Sequence, residues 1–219
     1  GTKNFYKEPV KILDIAVKGI LNVLEGCIKN NIKELYLASS SEVYQTPEKI
    51  PTDENEILKI PDIHNPRFSY GGGKILTELM GVHYGKKFFK KLVIFRPHNV
   101  YGPNMGNEHV IPELIGRFKK IRKNKNKLTI KGNGNETRSF IFIEDFVNAF
   151  DLLLRKGKHL NIYNIGTSEQ VKITHLVKKM SKIFNKKITL KKIKVAKGST
   201  KNRCPDIKKI KKIGFKQKY

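Results

Sequence analysis

Three short apolar runs, Leu35-Tyr36-Leu37-Ala38, Leu92-Val93-Ile94-Phe95 and Ile162-Tyr163-Asn164-Ile165, are separated by stretches whose apolar residues recur at helical spacing. A continuous apolar run of four suits a strand covered on both faces, and strands alternating with helices point to an α/β fold with a parallel sheet. The first helix is expected over Pro9–Asn30, where Val10, Leu13, Val17, Ile20, Leu21 and Leu24 form one stripe and Pro9 suits the first turn. Further helices are expected over 69–89, 110–123, 144–155 and 173–185. Additional strands are expected at 128–130 and 139–143, on either side of a Gly132-Asn133-Gly134 turn. Residues 46–65, with their prolines, read as an irregular connection. The Lys-rich tail from Ile188 keeps apolar spacing and is expected to be ordered.

Composition narrows the field less than its charge suggests. Lys and Arg number 45 against 19 Asp and Glu, a formal net charge of +26. Such an excess can mark a nucleic-acid or membrane-surface binder. Here the lysines are spread along the chain, as in Lys119 to Lys127, and are not interleaved with aromatics as a base-stacking platform requires. A lysine-painted surface is the better reading, with some value in attracting an anionic substrate, and nucleic acid is not an expected partner. No apolar stretch reaches the ~18 residues that a bilayer demands. Cys27 and Cys204 give no disulfide framework, so a reducing, cytoplasmic setting is expected, and no metal-ligand spacing is present.

The chemistry concentrates in two segments. In Tyr70-Gly71-Gly72-Gly73-Lys74, positions i and i+4 share a helix face, so phenol and ammonium are expected in one site. A phenol titrates near ~10, and a neighbouring ammonium favours its ionised form, as proton removal from a hydroxyl requires. Three glycines oppose a helix by roughly 1 kcal/mol each relative to alanine, which suggests close approach of cofactor or substrate to that backbone. Ala38-Ser39-Ser40-Ser41-Glu42-Val43-Tyr44 leaves the C-terminal end of a strand, where open α/β sheets place ligands. If it stays extended, Ser40 and Glu42 point to one side and Ser41 to the other. Taken alone, Ser40 reads equally as a loop serine capping backbone groups, and Glu42 as a solvated carboxylate.

In order along the chain, Ser39-Ser40-Ser41-Glu42-Val43-Tyr44, Ser69-Tyr70-x-x-x-Lys74 and Arg96-Pro-His-Asn-Val-Tyr-Gly-Pro103 resemble the extended short-chain dehydrogenase/reductase family of nucleotide-sugar enzymes. Gly132-x-Gly-x-x-x-Arg138-x-Phe-x-x-x-x-Asp145 and Asn202-Arg203-Cys-Pro-Asp206 continue the resemblance. It implies a partial Rossmann-type parallel sheet flanked by helices, holding NAD, with a smaller mixed α/β domain for a nucleoside-diphosphate sugar. The NAD-binding part is expected over 1–103 with 139–166 returning to it, and the sugar-nucleotide part over 104–138 and 167–219. Tyr70 is then the base, Lys74 the nicotinamide-ribose ligand that tunes it, and Ser40 the third member of the triad. Glu42 acts on a neighbouring carbon, while Ala38, Ser39 and Pro97 join Tyr70 and Lys74 around the cofactor. Ser40, Glu42, Asn99 and His109 are expected to contact substrate. Arg138 and Arg203 are expected to grip the diphosphate, which the guanidinium fork suits.

Two departures shape the expectation. The family's glycine-rich pyrophosphate turn has no counterpart in residues 1–31, so the chain is expected to begin after the family's fourth strand and stop before its usual final helix. An unpaired sheet edge, weak NAD binding and marginal stability would follow. Ser41 also stands where dTDP-glucose dehydratases carry an acid, which leaves a 4-epimerase as the leading expectation. A 4,6-dehydratase, a UDP-glucuronate decarboxylase and a non-catalytic basic binding protein are the alternatives. The helices at Pro9–Asn30 and 69–89 resemble those that pair in family dimers, so a homodimer is expected.

Overall fold

The computed structural model describes residues 2–121, 126–195 and 197–219. After a short helix α1 (Thr2–Lys7) comes α2 (Pro9–Lys29), begun by Pro9, and then strand β1 (Glu34–Ala38). A 3-10 turn at Ser41–Tyr44 and an irregular connection lead to α3 (Ser69–Phe88) and β2 (Lys91–Pro97). β3 (Val100–Tyr101), α4 (Val110–Lys120), β4 (Lys127–Lys131), β5 (Thr137–Arg138), β6 (Ile141–Phe142) and α5 (Ile143–Lys156) follow. The chain continues through β7 (Ile162–Ile165), β8 (Val171–Lys172), α6 (Ile173–Ile183), β9 (Thr189–Ile193), β10 (Asn202–Arg203) and α7 (Lys208–Lys212).

The three apolar runs form one parallel sheet in the order β1-β2-β7, with Leu37 opposite Ile94 and Phe95 opposite Tyr163. Helices cover both faces, which is why the runs are apolar except at Asn164, whose buried amide is hydrogen-bonded to Tyr44 and to the backbone oxygens of Thr52 and Asp206. On one face Ile20 and Leu24 of α2 pack with Leu37, Leu92 and Ile94. On the other, Ala149 and Leu153 of α5 pack with Val93, Phe95 and Ile165. A separate core joins Leu114 and Phe118 of α4, Leu128 and Ile130 of β4, and Val177 and Met180 of α6. Among the described residues β1 pairs with β2 alone, so its other side is a free edge.

Three expectations change. The strand expected over 139–143 is only β6, at Ile141–Phe142, with an unexpected β5 before it at Thr137–Arg138; between them Ser139 donates its hydroxyl to Thr167 O as the chain passes from one sheet to another. β5 pairs with β8 and β10, whereas β6 pairs with β3. The tail does not all lie with the sugar-nucleotide part, since Ile207, Ile210 and Phe215 are buried in the core of Val93, Phe95 and Ile165. Their spacing brings one apolar side of a short helix onto the sheet. The helix expected over 110–123 ends at Lys120. Arg122 and Lys123 lie outside the described residues, as do Asn124 and Lys125 of the lysine-rich segment.

Candidate functional site

β1 ends at Ala38, the chain stays extended through Ser40, and it then turns at Ser41 instead of continuing as far as Glu42. Ser40 caps the 3-10 turn, its Oγ accepting from the Glu42 backbone N at 3.2 Å. The capping reading of Ser40 is met, and the same hydroxyl lies near enough to the Tyr70 phenol to favour its ionised form. Tyr70 lies in the first turn of α3, and Lys74 one turn later donates from Nζ to Ala38 O at 2.8 Å. Ala38, Tyr70, Lys74 and Thr77 border a cavity of about 480 Å³ whose other wall is the apolar side of α2, including Ile12, Ala16 and Ile20.

Lys74 does not activate the phenol as expected. Its ammonium sits 5.9 Å from the centroid of the Tyr70 ring and is bound to Ala38 O. Burial pushes the Tyr70 phenol above its ordinary value, the Ser40 hydroxyl opposing and the negative charge of Glu42 reinforcing this. Phe5 of α1 adds to the enclosure, stacked on Tyr70 with ring centroids 5.0 Å apart and planes 7° apart. Burial also lowers Lys74, against the charge of Glu78.

Protein atoms approach the glycines of α3 closely. A Cβ on Gly71 would lie 2.0 Å from Gln45 Nε2 and 2.9 Å from Glu42 O, and one on Gly73 would lie 2.6 Å from Ala16 Cβ. The close approach inferred from the sequence is real, but α2 and the turn after β1 make it.

On the far side of Ser40, Glu42 meets guanidiniums. Its Oε1 accepts from Arg203 Nη1 at 2.8 Å, and its Oε2 is 3.7 Å from Arg67 Nη2. Burial alone would raise the Glu42 carboxyl, but the charge and hydrogen bond of Arg203, with Arg67 and Arg138 behind, outweigh it and hold the group at about 2. A carboxylate so stabilised is a poor proton carrier, which departs from the expected action on a neighbouring carbon. Arg138 donates to the backbone oxygens of Thr137, Thr200 and Lys201. Burial and then repulsion from Arg203 lower it to about 10.

The remaining expected residues divide. Ser39 is buried with its hydroxyl on Glu78 Oε1, so that side chain turns away from the cofactor side. Glu78 in turn is paired with Arg96, at 2.8 Å to Nε and 2.6 Å to Nη2. Arg96 Nη1 donates to Tyr44 Oη at 2.7 Å, Tyr44 donates to Asn164 Oδ1 at 2.8 Å, and His98 Nε2 reaches the same oxygen at 3.2 Å. This polar floor fixes the ends of β1, β2 and β7 relative to one another. Pro97 closes β2 opposite Ile165. Asn99, at φ 38°, spends its amide on Ser139 O at 2.8 Å. His109 is exposed beside the start of α4, with no hydrogen bond to the cluster.

Sequence reasoning missed Arg67, Asn65, Gln45 and Thr200. Arg67 Nε donates to Gly198 O at 3.0 Å and Asn65 Nδ2 to Lys197 O at 3.1 Å, tying residues 197–200 over the site. Arg67 stands in a proline-bearing connection with no periodicity to mark it. Gln45 directly follows the serine-glutamate motif, which is the one signal available.

The profile of the NAD dependent epimerase/dehydratase family matches residues 1–166. A dTDP-D-glucose 4,6-dehydratase of Dictyostelium discoideum is 32% identical over 185 residues, covering 82% of this chain and 42% of that protein. UDP-glucuronic acid decarboxylase 3 of Arabidopsis thaliana is 29% identical over 210 residues, covering 95% of this chain and 60% of that protein. The chain thus spans roughly two fifths to three fifths of these relatives. Among solved structures, a dTDP-glucose 4,6-dehydratase from Streptomyces venezuelae with NAD bound superposes with a TM-score of 0.87 at 19% identity, covering all of this chain and 66% of its own. A UDP-N-acetylglucosamine 4-epimerase from Methanobrevibacter ruminantium gives 0.86 at 24%, covering all of this chain and 68% of its own. At these identities the superpositions speak for the fold.

Proposed function

Because the chain belongs to the NAD dependent epimerase/dehydratase family, we propose that it serves the transient oxidation of a ring hydroxyl, at C4, of a nucleoside-diphosphate sugar, and acts as a 4-epimerase. The observation that carries this reading is that the Tyr70 phenol and the Lys74 ammonium, one helical turn apart, border one cavity, with the Ser40 hydroxyl near enough to the phenol to favour its ionised form. That cavity suits the nicotinamide end of NAD: an apolar α2 wall for the ring, and a phenol and an ammonium for the ribose hydroxyls. When bound, NAD supplies the acceptor for the hydride leaving the sugar carbon and returns it later. Lys74 is the one cation among the described residues lining the cavity, so the fit extends to that end and not to the pyrophosphate.

Within this reading Tyr70 Oη takes the sugar hydroxyl proton, and the nearby Ser40 hydroxyl would donate to the oxygen on which negative charge develops. The raised Tyr70 value means that the phenol needs help to ionise, and Lys74 would give it by turning from Ala38 O toward the phenol. Arg138 and Arg203 take the diphosphate, and Glu42 fixes the Arg203 fork in place. Epimerisation is favoured over loss of water because Ser41 is buried without an acid in its place and Glu42 is held ionised. A homodimer through α2 and α3 is supported by exposed Leu13 and Val17 on the first and Leu79 on the second.

A second reading is decarboxylation of a nucleoside-diphosphate uronate. The similarity to a UDP-glucuronic acid decarboxylase over 95% of the chain favours it, as does a cluster of three arginines around one carboxylate. Incubation with NAD and nucleotide sugars, followed by mass measurement, separates the readings. Unchanged mass is expected, loss of carbon dioxide would replace it with the second reading, and loss of water would reject both. Tyr70→Phe is expected to lower turnover by about 100-fold or more, as loss of a general base does. Turnover surviving within a few-fold would remove Tyr70 from that role.

A further inference from the structure

Gln45 stands out from its surroundings in three ways. It is 2% exposed, yet neither Nε2 nor Oε1 of its carboxamide has a hydrogen-bond partner. Its φ is 49°, in the left-handed region that costs any side-chain-bearing residue, and a glycine would hold this place without strain. Its carboxamide lies over the backbone of Gly71, where even a methyl group would come within 2.0 Å of Nε2. Burying an unpaired donor and an unpaired acceptor is unfavourable, since both lose their water partners and gain none in the fold. A residue kept at such cost has a use outside the resting fold.

The neighbourhood indicates what the use is. Gly71 follows Tyr70 directly, so the carboxamide sits beside the start of the helix that carries the phenol. The Gln45 backbone oxygen accepts from Thr200 Oγ1 at 2.9 Å, and Thr200 Oγ1 accepts from Arg203 Nη2 at 3.1 Å. Arg203 also carries a buried Nε with no partner. Unsatisfied polar atoms thus lie on both sides of Thr200, between the phenol of α3 and the guanidiniums. In the nucleotide-sugar reading, a ligand reaching from the phenol to the guanidiniums would pass beside Thr200.

We propose that Gln45 is a substrate-positioning residue that hydrogen-bonds a hydroxyl of the sugar ring and thereby sets which face of the ring meets Tyr70. A carboxamide offers one donor and one acceptor, the pair that a hydroxyl can answer with its lone pair and its proton. No hydrogen bond holds the side chain where it rests, so turning it toward a bound sugar breaks none. The three-glycine start of α3 acquires a purpose in the same picture, for Gly71 provides the space in which the carboxamide waits.

The inference rests on the nucleotide-sugar reading, and the test keeps the two apart. Affinities of the protein for UDP-glucose, dTDP-glucose and the corresponding free nucleoside diphosphates are measured by calorimetry, alongside melting temperature. Gln45→Leu removes both orphaned polar atoms at nearly constant volume, and Gln45→Gly also relieves the φ strain. Both variants are expected to melt at or above the parent temperature, to bind nucleotide sugars tenfold or more weakly, and to bind free diphosphates within twofold. A residue that served only the fold would lower the melting temperature and move both ligand classes together. Parent protein that binds the sugars while the variants bind them equally well would overturn the role of Gln45 alone. Parent protein that binds no nucleotide sugar would overturn the functional reading and this inference with it.

Discussion

The carboxylate of Glu42 and the guanidinium of Arg203 stand 161 positions apart in the chain and meet at 2.8 Å, almost out of reach of solvent. Three guanidiniums share this one carboxylate, so the cluster carries unbalanced positive charge until an anion arrives. Glu42→Gln keeps the shape and removes the balance. Breaking a buried pair by deleting one partner costs about 3–5 kcal/mol. The variant is expected to lose stability on that scale in urea unfolding, and inorganic pyrophosphate is expected to restore part of it. Unfolding curves that coincide with the parent's, with and without pyrophosphate, would show that the carboxylate is not what holds the arginines.

Acid is expected to unfold the protein in two stages. Burial, with repulsion from Arg203 and Arg96, lowers His98 from 6.5 to about 3, so its neutral form favours the fold. That contribution is whole above pH 6.5 and is lost as pH falls from 6.5 toward 3. Glu42, lowered from 4.5 to about 2, contributes above pH 4.5 and loses this as pH falls toward 2, on the order of 3 kcal/mol in all. His98→Gln is expected to flatten the decline in melting temperature between pH 6.5 and 4.5 and leave the lower stage in place. A variant that keeps the upper stage would assign it to another group.

Two glycine-to-alanine changes should differ in sign. At Gly73 the new methyl lies 2.6 Å from Ala16 Cβ, and neither carbon can swing aside, so overpacking of about 1–3 kcal/mol outweighs the helix gain of ~1 kcal/mol. At Gly19, also within a helix, a Cβ meets nothing within 4 Å, so the helix gain of ~1 kcal/mol is expected unopposed. Denaturant midpoints that move in the same direction for both would disprove the close packing of α2 on α3.

The ion pairs should rank by burial. Glu78→Gln strands Arg96 beneath the site and is expected to cost about 3–5 kcal/mol. Glu48→Gln breaks a pair with Lys59 in which the carboxylate is 70% exposed, and should change little. Comparable losses in the two variants would contradict the buried network as the brace of the strand ends.

What could be read from the sequence follows from the range of the interactions involved. Helical spacing located α2, α3 and α5 to within a residue or two, and apolar runs located β1, β2 and β7, because local periodicity records which face is covered. Tyr70 and Lys74 were legible as a pair because positions i and i+4 share a helix face, and both border the cavity, whereas Ser40 was singled out through the family resemblance alone. The state of the phenol was not, since it depends on Phe5 stacking and on where the Lys74 ammonium turns. The partners of Glu42 come from distant segments with no shared pattern, so Arg67 and the ion pairing of Glu42 with Arg203 escaped notice. The same blindness hid Gln45, whose cost appears only once its neighbours are known.

Every pairing in the sheets except β5 with β8 is parallel, and Ile207, Ile210 and Phe215 pack into the core that β2 and β7 share with α5. Parallel neighbours cannot form as hairpins, so early contacts reward the growing chain little. On a ribosome, the apolar underside of β7 therefore stays open until Phe215 has cleared the exit tunnel. A nascent chain stopped just short of that residue would display an uncovered apolar face.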